Sequence, residues 1–253
     1  MVPAMIDLHS HILSGLDDGS ATPAESLELA RSAVADGIRV LAATPHVRDD
    51  YPTEPVAMEA GVAALRAALG EAAIPLGLLP GGEVALERLD RLGAEERARF
   101  GLGGNPSYLL VEFPYYGWPI DLGERLLRLQ VEGVTPVLAH PERNADVQAA
   151  PERLESFVAA GILVQLTAAS LDGRLGRGPR STSLALLERR LAHLVASDAH
   201  APSLRAVGMT AARVAVGDVA LARWLTEDVP GAIVEGAPLP ERPERTRRFR
   251  LRR

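Results

Sequence analysis

Nine histidine and carboxylate side chains stand at or just after the ends of short apolar segments in this sequence. They are His9, His11, Asp17, His46, Glu83, Glu112, His140, Asp198 and His200. His9 and His11 alternate along an extended segment, so their imidazoles project from the same face. Imidazole and carboxylate donors without sulfur suit Mn²⁺, Fe or Zn²⁺, and nine donors are enough for two or three ions. The sequence therefore predicts a metal centre assembled from several separate segments.

Each of these residues also has an explanation that involves no metal. A bare His-x-His pair arises easily by chance at a surface or a helix cap. Glu83 could cap a following helix, and Glu112 could pair with a buried arginine. Asp17 and Asp18 could simply form a turn. The ordered set is much harder to obtain by chance, so we favour the metal centre, whereas His193, which precedes an apolar segment, is predicted to be structural.

The composition excludes several other kinds of chemistry. The 253 residues contain no cysteine, so disulfides, thiolate ligands and a cysteine nucleophile are excluded. All 27 basic residues are arginine, which excludes Schiff-base chemistry and the lysine of a P-loop. Histidine, carboxylates and arginine remain for catalysis.

Strand and helix patterns alternate along the chain and would bring the nine donors together. Seven apolar segments have strand character, at residues 6–11, 39–44, 75–82, 108–111, 135–139, 163–167 and 194–197. Helical periodicity lies between and after them, at residues 22–36, 53–69, 86–98, 121–132, 151–160, 181–191 and 203–215. This alternation predicts a single α/β domain with a parallel sheet, as a seven-stranded, distorted relative of the TIM barrel. Parallel barrels place their sites at the carboxyl ends of the strands, where these donors fall.

An ordered set of motifs between residues 5 and 209 resembles the PHP (polymerase and histidinol phosphatase) superfamily. Within it, the chain is most similar to the bacterial manganese-dependent protein-tyrosine phosphatases of capsule and exopolysaccharide biosynthesis. The motifs are DLHSH at 7–11, GLDDG at 15–19, ATPH at 43–46, GEV at 82–84, VEFP at 111–114, AHPER at 139–143, QLTAASL at 165–171 and ASDAH at 196–200.

The resemblance implies a distorted (β/α)7 barrel, the PHP fold, over residues 5–238, followed by an arginine-rich tail over 239–253. It implies that the nine donors bind two or three metal ions, with Mn²⁺ expected and Fe, Zn²⁺ or Co²⁺ as alternatives. A metal-activated hydroxide would then hydrolyse phosphotyrosine on protein substrates. Arg143 and Arg205 would bind the phosphate, because a guanidinium fork matches its oxygens. Asp18 or a metal-bound water would protonate the departing phenolate, and Asp18 could instead replace Asp17 as a ligand.

Several features leave alternatives open. A small-molecule phosphatase, such as a histidinol-phosphate phosphatase, would use the same metal site. A non-catalytic regulatory module would lack ligands, and none of the nine is missing. The superfamily commonly has a basic or histidine residue directly after the position of His46, where this chain has Val47. The glycine- and arginine-rich loop at 173–178 could bind phosphate or be a surface loop, and Tyr115, Tyr116 and Trp118 could line a pocket or cover the barrel mouth.

The distribution of charge bears on partners. Residues 241–253 contain seven arginines and two glutamates, although the whole chain carries a net charge of −6. An acidic body argues against nucleic acid as a partner. The tail could contact anionic lipid weakly or an acidic partner, or it could be a disordered solubilising extension or fold onto its own acidic body. No segment has the features of a signal peptide or a membrane span, so we expect a cytoplasmic protein, peripheral at the membrane if the tail binds there. The resemblance implies a membrane-linked bacterial tyrosine kinase as the phosphotyrosine partner.

Overall fold

The computed structural model of the protein describes residues 5–200 and 206–244. The strands are β1 (Met5–Asp7), β2 (Ile38–Ala43), β3 (His46–Val47), β4 (Gly77–Pro80), β5 (Glu83–Ala85), β6 (Tyr108–Glu112), β7 (Thr135–Ala139), β8 (Leu163–Thr167) and β9 (Leu194–Ala196). The α-helices are α1 (Pro23–Ala35), α2 (Pro55–Glu71), α3 (Ala94–Arg99), α4 (Leu122–Val131), α5 (Ala145–Ala149), α6 (Glu155–Ala159), α7 (Ala168–Leu171), α8 (Arg177–Glu188), α9 (Met209–Val216), α10 (Val219–Arg223) and α11 (Val229–Glu235). Short 3₁₀ segments span Leu86–Arg88, Pro141–Arg143 and Pro151–Leu154, and a π-helical turn spans Trp224–Asp228.

The strands form two parallel sheets. One has the order β1-β2-β4 and the other the order β3-β5-β6-β7-β8-β9. The strands predicted at 39–44 and 75–82 correspond to β2 and β4, and each is followed by a short strand that was not predicted, β3 after Thr44 and Pro45 and β5 after Gly81 and Gly82. Proline cannot donate to a strand ladder, and a side chain at Gly82 would meet the ring of Phe100 at 2.6 Å. Because both sheets are parallel and helices alternate with the strands, the α/β class, the parallel pairing and the single domain agree with the prediction.

Backbone contacts join the two sheets at their carboxyl ends. The His11 amide donates to the Ala199 carbonyl at 2.8 Å, and the Asp198 amide donates to the His9 carbonyl at 2.9 Å. Ser10 forms an isolated parallel bridge with Ala199. These bonds place the segment after β1 beside the segment after β9, so the donors of both segments meet. The ladder itself is divided between two sheets, and closure into a barrel stays a prediction.

The helices differ in places from the sequence expectation. Helix α1 matches the helix predicted at 22–36 and begins with a side-chain cap, since Thr22 Oγ1 accepts a hydrogen bond from the Glu25 amide at 3.3 Å. The single helix predicted at 86–98 is wrong, because a 3₁₀ turn and a loop precede α3, whose start at Gly93 is capped by Glu96. The helix predicted at 151–160 begins as a 3₁₀ turn, and that predicted at 203–215 begins at Met209. Of the latter, residues 203–205 lie outside the described residues.

The sheets are buried on both faces. Every residue of β8 is buried, and in β6 and β7 only the first residue is partly exposed. Continuous burial explains why these strands read as apolar runs rather than alternating patterns. A polar residue inside such a strand, such as Gln165, therefore needs a specific partner.

The chain beyond α11 returns to the body. The Trp224 indole donates to the Pro240 carbonyl at 3.0 Å, and Arg242 donates to the carbonyls of Ala192 and Leu187 at 2.8 and 3.0 Å. The start of the predicted tail is thus packed, and residues 245–253 lie outside the described residues.

Candidate metal centre

Eight of the nine predicted donors come together at the carboxyl ends of the strands, and the ninth, Asp17, lies behind the His11 ring. Buried donors come from the segments after β1, β7 and β9 and from β3, β5 and β6: His9, His11, His46, Glu83, Glu112, His140, Asp198 and His200. Four overlapping groups of ligand atoms each lie within 4.8 Å of one another. The groups are His11, Asp18, His46 and His200; His9, Glu83 and His140; His9, His11 and Asp198; and His46, Glu83 and Glu112. The shared members make this one continuous centre.

Glu83 lies in the middle of the centre. Its Oε2 is 2.8 Å from His46 Nδ1 and 3.4 Å from both His9 Nε2 and His11 Nε2, while its Oε1 is 2.8 Å from His140 Nε2. Burial disfavours the ionised Glu83 carboxylate, but the surrounding imidazoles outweigh burial and hold its pKa well below the usual range. One carboxylate thus contacts four histidines, as a bridging ligand would.

The other carboxylates differ from one another in ionisation. Asp198 is buried, yet His9 and the other nearby cations hold its pKa well below the usual value. Glu112 behaves in the opposite way, since burial and the charge of Glu83 raise its pKa to about 7, partly offset by His46 and Arg48. Two carboxylates that share a small volume repel each other unless positive charge lies between them.

Hydrogen bonds behind the rings fix which nitrogen faces the centre. His9 Nδ1 lies 3.0 Å from Gln165 Oε1, and His11 Nδ1 lies 2.7 Å from Asp17 Oδ2. Since these oxygens only accept, each Nδ1 carries the hydrogen and each neutral ring presents the Nε2 lone pair. His200 Nδ1 likewise faces the Asp198 carbonyl at 2.9 Å. Metal-binding histidines typically donate their other ring N–H to a carboxylate or carbonyl oxygen in this way.

The structure separates the roles of Asp17 and Asp18. The Asp17 carboxylate accepts from His11 Nδ1, from the His46 amide at 3.0 Å and from the Gly19 amide at 2.9 Å. Asp18 Oδ1 instead lies 3.3 Å from both His46 Nε2 and His200 Nε2. Asp17 therefore orients His11 from behind, and Asp18 joins the ligand atoms.

Buried polar residues that the sequence reasoning did not assign frame the centre. Asp7 Oδ1 accepts from the Ser197 amide at 2.9 Å, and Glu142 Oε1 accepts from the Thr167 amide at 2.9 Å. Burial raises the pKa of Asp7 to about 6 and that of Glu142 to about 7. Gln165 Oε1 also accepts from the His140 amide at 3.3 Å. Each is a polar residue within or beside a buried apolar strand, and that position is the signal by which they could have been found.

Two of the candidate ligand residues adopt a left-handed backbone conformation. His140 has φ +34° and Asp198 has φ +52°. This region is unfavourable for residues with a Cβ, by about 1–3 kcal/mol. Both residues follow parallel strands, and the turn redirects the chain so that their side chains enter the centre.

The predicted phosphate-binding arginines and the predicted aromatic cluster do not all lie beside the donors. Arg143 Nη1 donates to Asp198 Oδ2 at 2.7 Å, and its guanidinium lies 4.5 Å from the centre of the Tyr115 ring. Trp118 packs away from the donors, against Phe113 and Phe157, and Tyr116 is exposed. Arg205 lies outside the described residues.

Two further sequence features lie away from the donors. In the 173–178 loop, Arg174 donates to Asp172 and to the Ala206 carbonyl, at 2.7 and 2.8 Å. His193 Nδ1 accepts from the Val164 amide at 3.1 Å. Both side chains thus make structural bonds.

Comparison with known proteins agrees with this geometry. Residues 5–221 match the CpsB/CapC family of capsular polysaccharide synthesis. The chain belongs to the CpsB/CapC family. It is 40% identical over 197 residues to the tyrosine-protein phosphatase YwqE of Bacillus subtilis, and the alignment covers 78% of this chain and 77% of the relative. It is 28% identical over 204 residues to the tyrosine-protein phosphatase CpsB of Streptococcus pneumoniae, covering 78% and 83%.

Solved structures extend the similarity of this CpsB/CapC member to the fold. A crystal structure from work on YwqE of B. subtilis and CpsB of S. pneumoniae, described as unique metal-dependent tyrosine phosphatases, superposes with a TM-score of 0.84 at 32% identity. It covers 96% of this chain and 100% of the other. A β-aspartyl dipeptidase from Fervidobacterium islandicum, with a TM-score of 0.61 at 15% identity over 92% and 72% of the two chains, shares the fold alone. The predicted relationship to bacterial metal-dependent tyrosine phosphatases is confirmed.

Proposed function

We propose that this protein is a metal-dependent phosphatase that hydrolyses the phosphate ester of phosphotyrosine in proteins. The observation that carries the proposal is the buried centre of overlapping His, Asp and Glu groups with Arg143 at its edge. Membership of the CpsB/CapC family and 40% identity to a tyrosine-protein phosphatase support the substrate class.

The donor set fits metal ions. The Nε2 atoms of His9 and His11 are 3.2 Å apart, and the bonds behind both rings assign both hydrogens to Nδ1. Two lone pairs would then face each other, which is unfavourable unless a cation or a proton lies between them. The pKa values of the His9 and His11 rings are both raised, because the nearby carboxylates outweigh the effect of burial. This direction indicates an excess of negative charge around the two rings. A divalent cation removes this conflict without protonating the ligands.

We assign the metal ligands as follows. The proposed ligands are His9, His11, Asp18, His46, Glu83, Glu112, His140, Asp198 and His200, with Asp17 as the partner that orients His11. We propose Mn²⁺ as the metal because the family resemblance implies it, and the same nitrogen and oxygen donors could also bind Fe, Zn²⁺ or Co²⁺. When bound, such ions lower the pKa of water and neutralise phosphate oxygens.

The residues of the chain bind and position the substrate. Arg143 offers its guanidinium to the phosphate oxygens, and the ion pair with Asp198 together with the face of Tyr115 holds it beside the ligands. Arg205, close in sequence to His200, is proposed as a further phosphate-binding residue. Burial raises the pKa of Tyr115, so its phenol remains protonated at neutral pH.

The remaining assignments are proposals about architecture and context. The two sheets are proposed to act as one distorted seven-stranded barrel, supported by the bonds between the segments after β1 and β9. We retain a phosphatase domain at 5–238 and an arginine-rich tail at 239–253. The description of the family as capsular polysaccharide synthesis supports a bacterial tyrosine kinase of that process as the substrate. Since tyrosine phosphorylation uses ATP, we place the protein in the cytoplasm, with the tail as a possible contact to anionic membrane.

One structural finding concerns the membrane. Within residues 5–200 and 206–244, no helix combines the length and apolar character needed to cross a bilayer.

The decisive experiment is a substrate and metal panel. Metal-stripped protein is reloaded separately with Mn²⁺, Fe²⁺, Zn²⁺ or Co²⁺ and assayed on a phosphotyrosine peptide, its phosphoserine counterpart, histidinol phosphate and a nucleotide. We expect the highest kcat/KM on the phosphotyrosine peptide and none without metal. Preference for histidinol phosphate would reject the substrate class and leave the metal centre intact.

A further inference from the structure

The loop after β3 brings an arginine to the edge of the metal centre. Val47, which stands where the superfamily commonly has a basic or histidine residue, is fully buried in the apolar core. Side chains of an extended segment alternate between two sides. The next residue, Arg48, therefore returns to the side of His46.

The contacts of Arg48 confirm this direction. Arg48 Nη1 lies 3.6 Å from Glu112 Oε2, and Nε lies 2.8 Å from Asp50 Oδ1. Its guanidinium carbon is 5.1 Å from the centre of the Tyr51 ring, which stacks at 6.0 Å and 18° on His46. Arg48 and Tyr51 also exchange backbone hydrogen bonds at 3.1 and 3.2 Å. The loop thus holds the guanidinium in place while 24% of the side chain stays exposed.

The same arrangement occurs on the other side of the centre. Arg143 pairs with Asp198 and lies over Tyr115, whose ring lies 5.7 Å from His140. His46 and His140 contact different oxygens of Glu83, each at 2.8 Å. Each side therefore has an arginine over a tyrosine, beside a histidine and a carboxylate of the centre.

We propose that Arg48 is a further phosphate-binding residue, in addition to Arg143 and Arg205, and that it contacts the substrate phosphate from the His46 side as Arg143 does from the His140 side. The proposal rests on the phosphatase function above and extends it to a particular residue. A phosphate monoester has three non-bridging oxygens, and one guanidinium fork binds at most two of them. The partner Asp50 is 64% exposed, so its ion pair with Arg48 is weak and can yield to a phosphate dianion.

Variants of Arg48 test the proposal against a control arginine from another segment that pairs with the same loop. Arg91 pairs at 2.7 Å with Asp49, two residues from Tyr51, and its side chain is 58% exposed. We compare Arg48→Ala, Arg48→Lys and Arg91→Ala, all loaded with Mn²⁺. The readouts are the dissociation constant for inorganic phosphate by calorimetry, the metal content by mass spectrometry, and kcat and KM on a phosphotyrosine peptide.

We expect Arg48→Ala to weaken phosphate binding and to raise KM by about 10-fold or more. Arg48→Lys should be intermediate, Arg91→Ala should match the wild type, and all should keep their metal. Unchanged phosphate affinity in Arg48→Ala would overturn the proposal. Loss of metal from that variant would also overturn it, because Arg48 would then act through Glu112. If the wild type hydrolyses no phosphotyrosine peptide, the proposed function fails, while phosphate affinity still decides the role of Arg48.

Discussion

Gln165 Oε1 lies 3.0 Å from His9 Nδ1, and this one contact determines which nitrogen of His9 faces the metal centre. Gln165 is completely buried in the middle of β8, and the same oxygen accepts from the His140 amide. An amide oxygen here fixes two ligand segments without adding another negative charge.

Replacement of Gln165 by leucine should weaken metal binding. The His9 ring would lose the acceptor that holds it, and a change behind a ligand typically costs about 10- to 100-fold in metal affinity. Chelator competition measures the change, and Gln165→Glu should retain most of the affinity because its oxygen still accepts. Equal affinities in the wild type and the leucine variant would reject this role.

Substitution of His9 by alanine should remove metal and hydrolysis together. His9 belongs to two of the four ligand groups, so its loss affects more than one ion. Metal content by mass spectrometry and kcat on a phosphotyrosine peptide report the two losses, with His193→Gln as the control histidine. A His9→Ala protein with full metal and full activity would contradict the proposed centre.

Alanine at Asp17 and at Asp18 should have different consequences. Asp18→Ala removes a ligand from the group with His11, His46 and His200 and should lower the number of ions bound per chain. Asp17→Ala leaves the ligand atoms and removes only the support of His11 Nδ1, so saturating metal should restore the full number. Titration followed by mass spectrometry distinguishes them, and identical stoichiometries at saturation would reject the assignment.

Replacement of Arg143 by alanine should lower kcat/KM by about 10- to 100-fold, the effect of losing a charged hydrogen bond to phosphate. The Asp198 carboxylate keeps its histidine neighbours, so metal should remain bound. Arg153→Ala is the matched control, because Arg153 also lies over an aromatic ring, that of Trp118, at 5.2 Å. Steady-state kinetics on the phosphotyrosine peptide test this, and similar values for both variants would argue against a phosphate contact.

His193 should make the metal-free protein less stable as the pH falls. Burial, aided by the charge of Arg242, lowers the pKa of His193 to about 4, below the value of about 6.5 in an unfolded chain. Between these values only the unfolded chain binds the proton, so stability is lost as the pH falls through this range. The loss should be on the order of 2 kcal/mol between pH 7 and 5.

Urea unfolding of the wild-type and His193→Gln proteins, both metal-free, isolates the contribution of His193 to the pH dependence of stability. The other histidines titrate equally in the two proteins, and glutamine can still accept from the Val164 amide. We expect a shallower pH dependence in the variant, and parallel curves would show that His193 does not contribute.

The main features of the fold and the centre follow from the sequence because parallel strands end at a common edge. His46, Glu83, Glu112 and His140 each belong to or follow a separate strand, so strand patterns alone bring them together. The short strands β3 and β5 were not predicted, because they contain only two and three residues and each begins with a polar side chain, His46 or Glu83. The sequence also contained the helical periodicity of 86–98, but Gly93 and its capping by Glu96 start the helix late.

Side-chain direction is what the sequence could not supply. Asp17 and Asp18 are adjacent and chemically alike, and only the turn decides which of them backs His11. Gln165 lies 156 positions from His9, so their contact depends on the complete arrangement of the strands. Arg48 is a partial exception, because strand alternation after the buried Val47 would have pointed to it.

The contacts of Arg242 show at which end of the strands the chain leaves the domain. Arg242 binds the carbonyl of Ala192, which precedes β9, whereas Asp198 and His200 follow that strand. The chain therefore leaves the body toward residue 245 at the amino ends of the strands, and the ligands stand at the opposite ends. A partner that engages the chain at Arg242 would therefore contact the domain at the end of the strands opposite the candidate ligands and would leave those ligands uncovered.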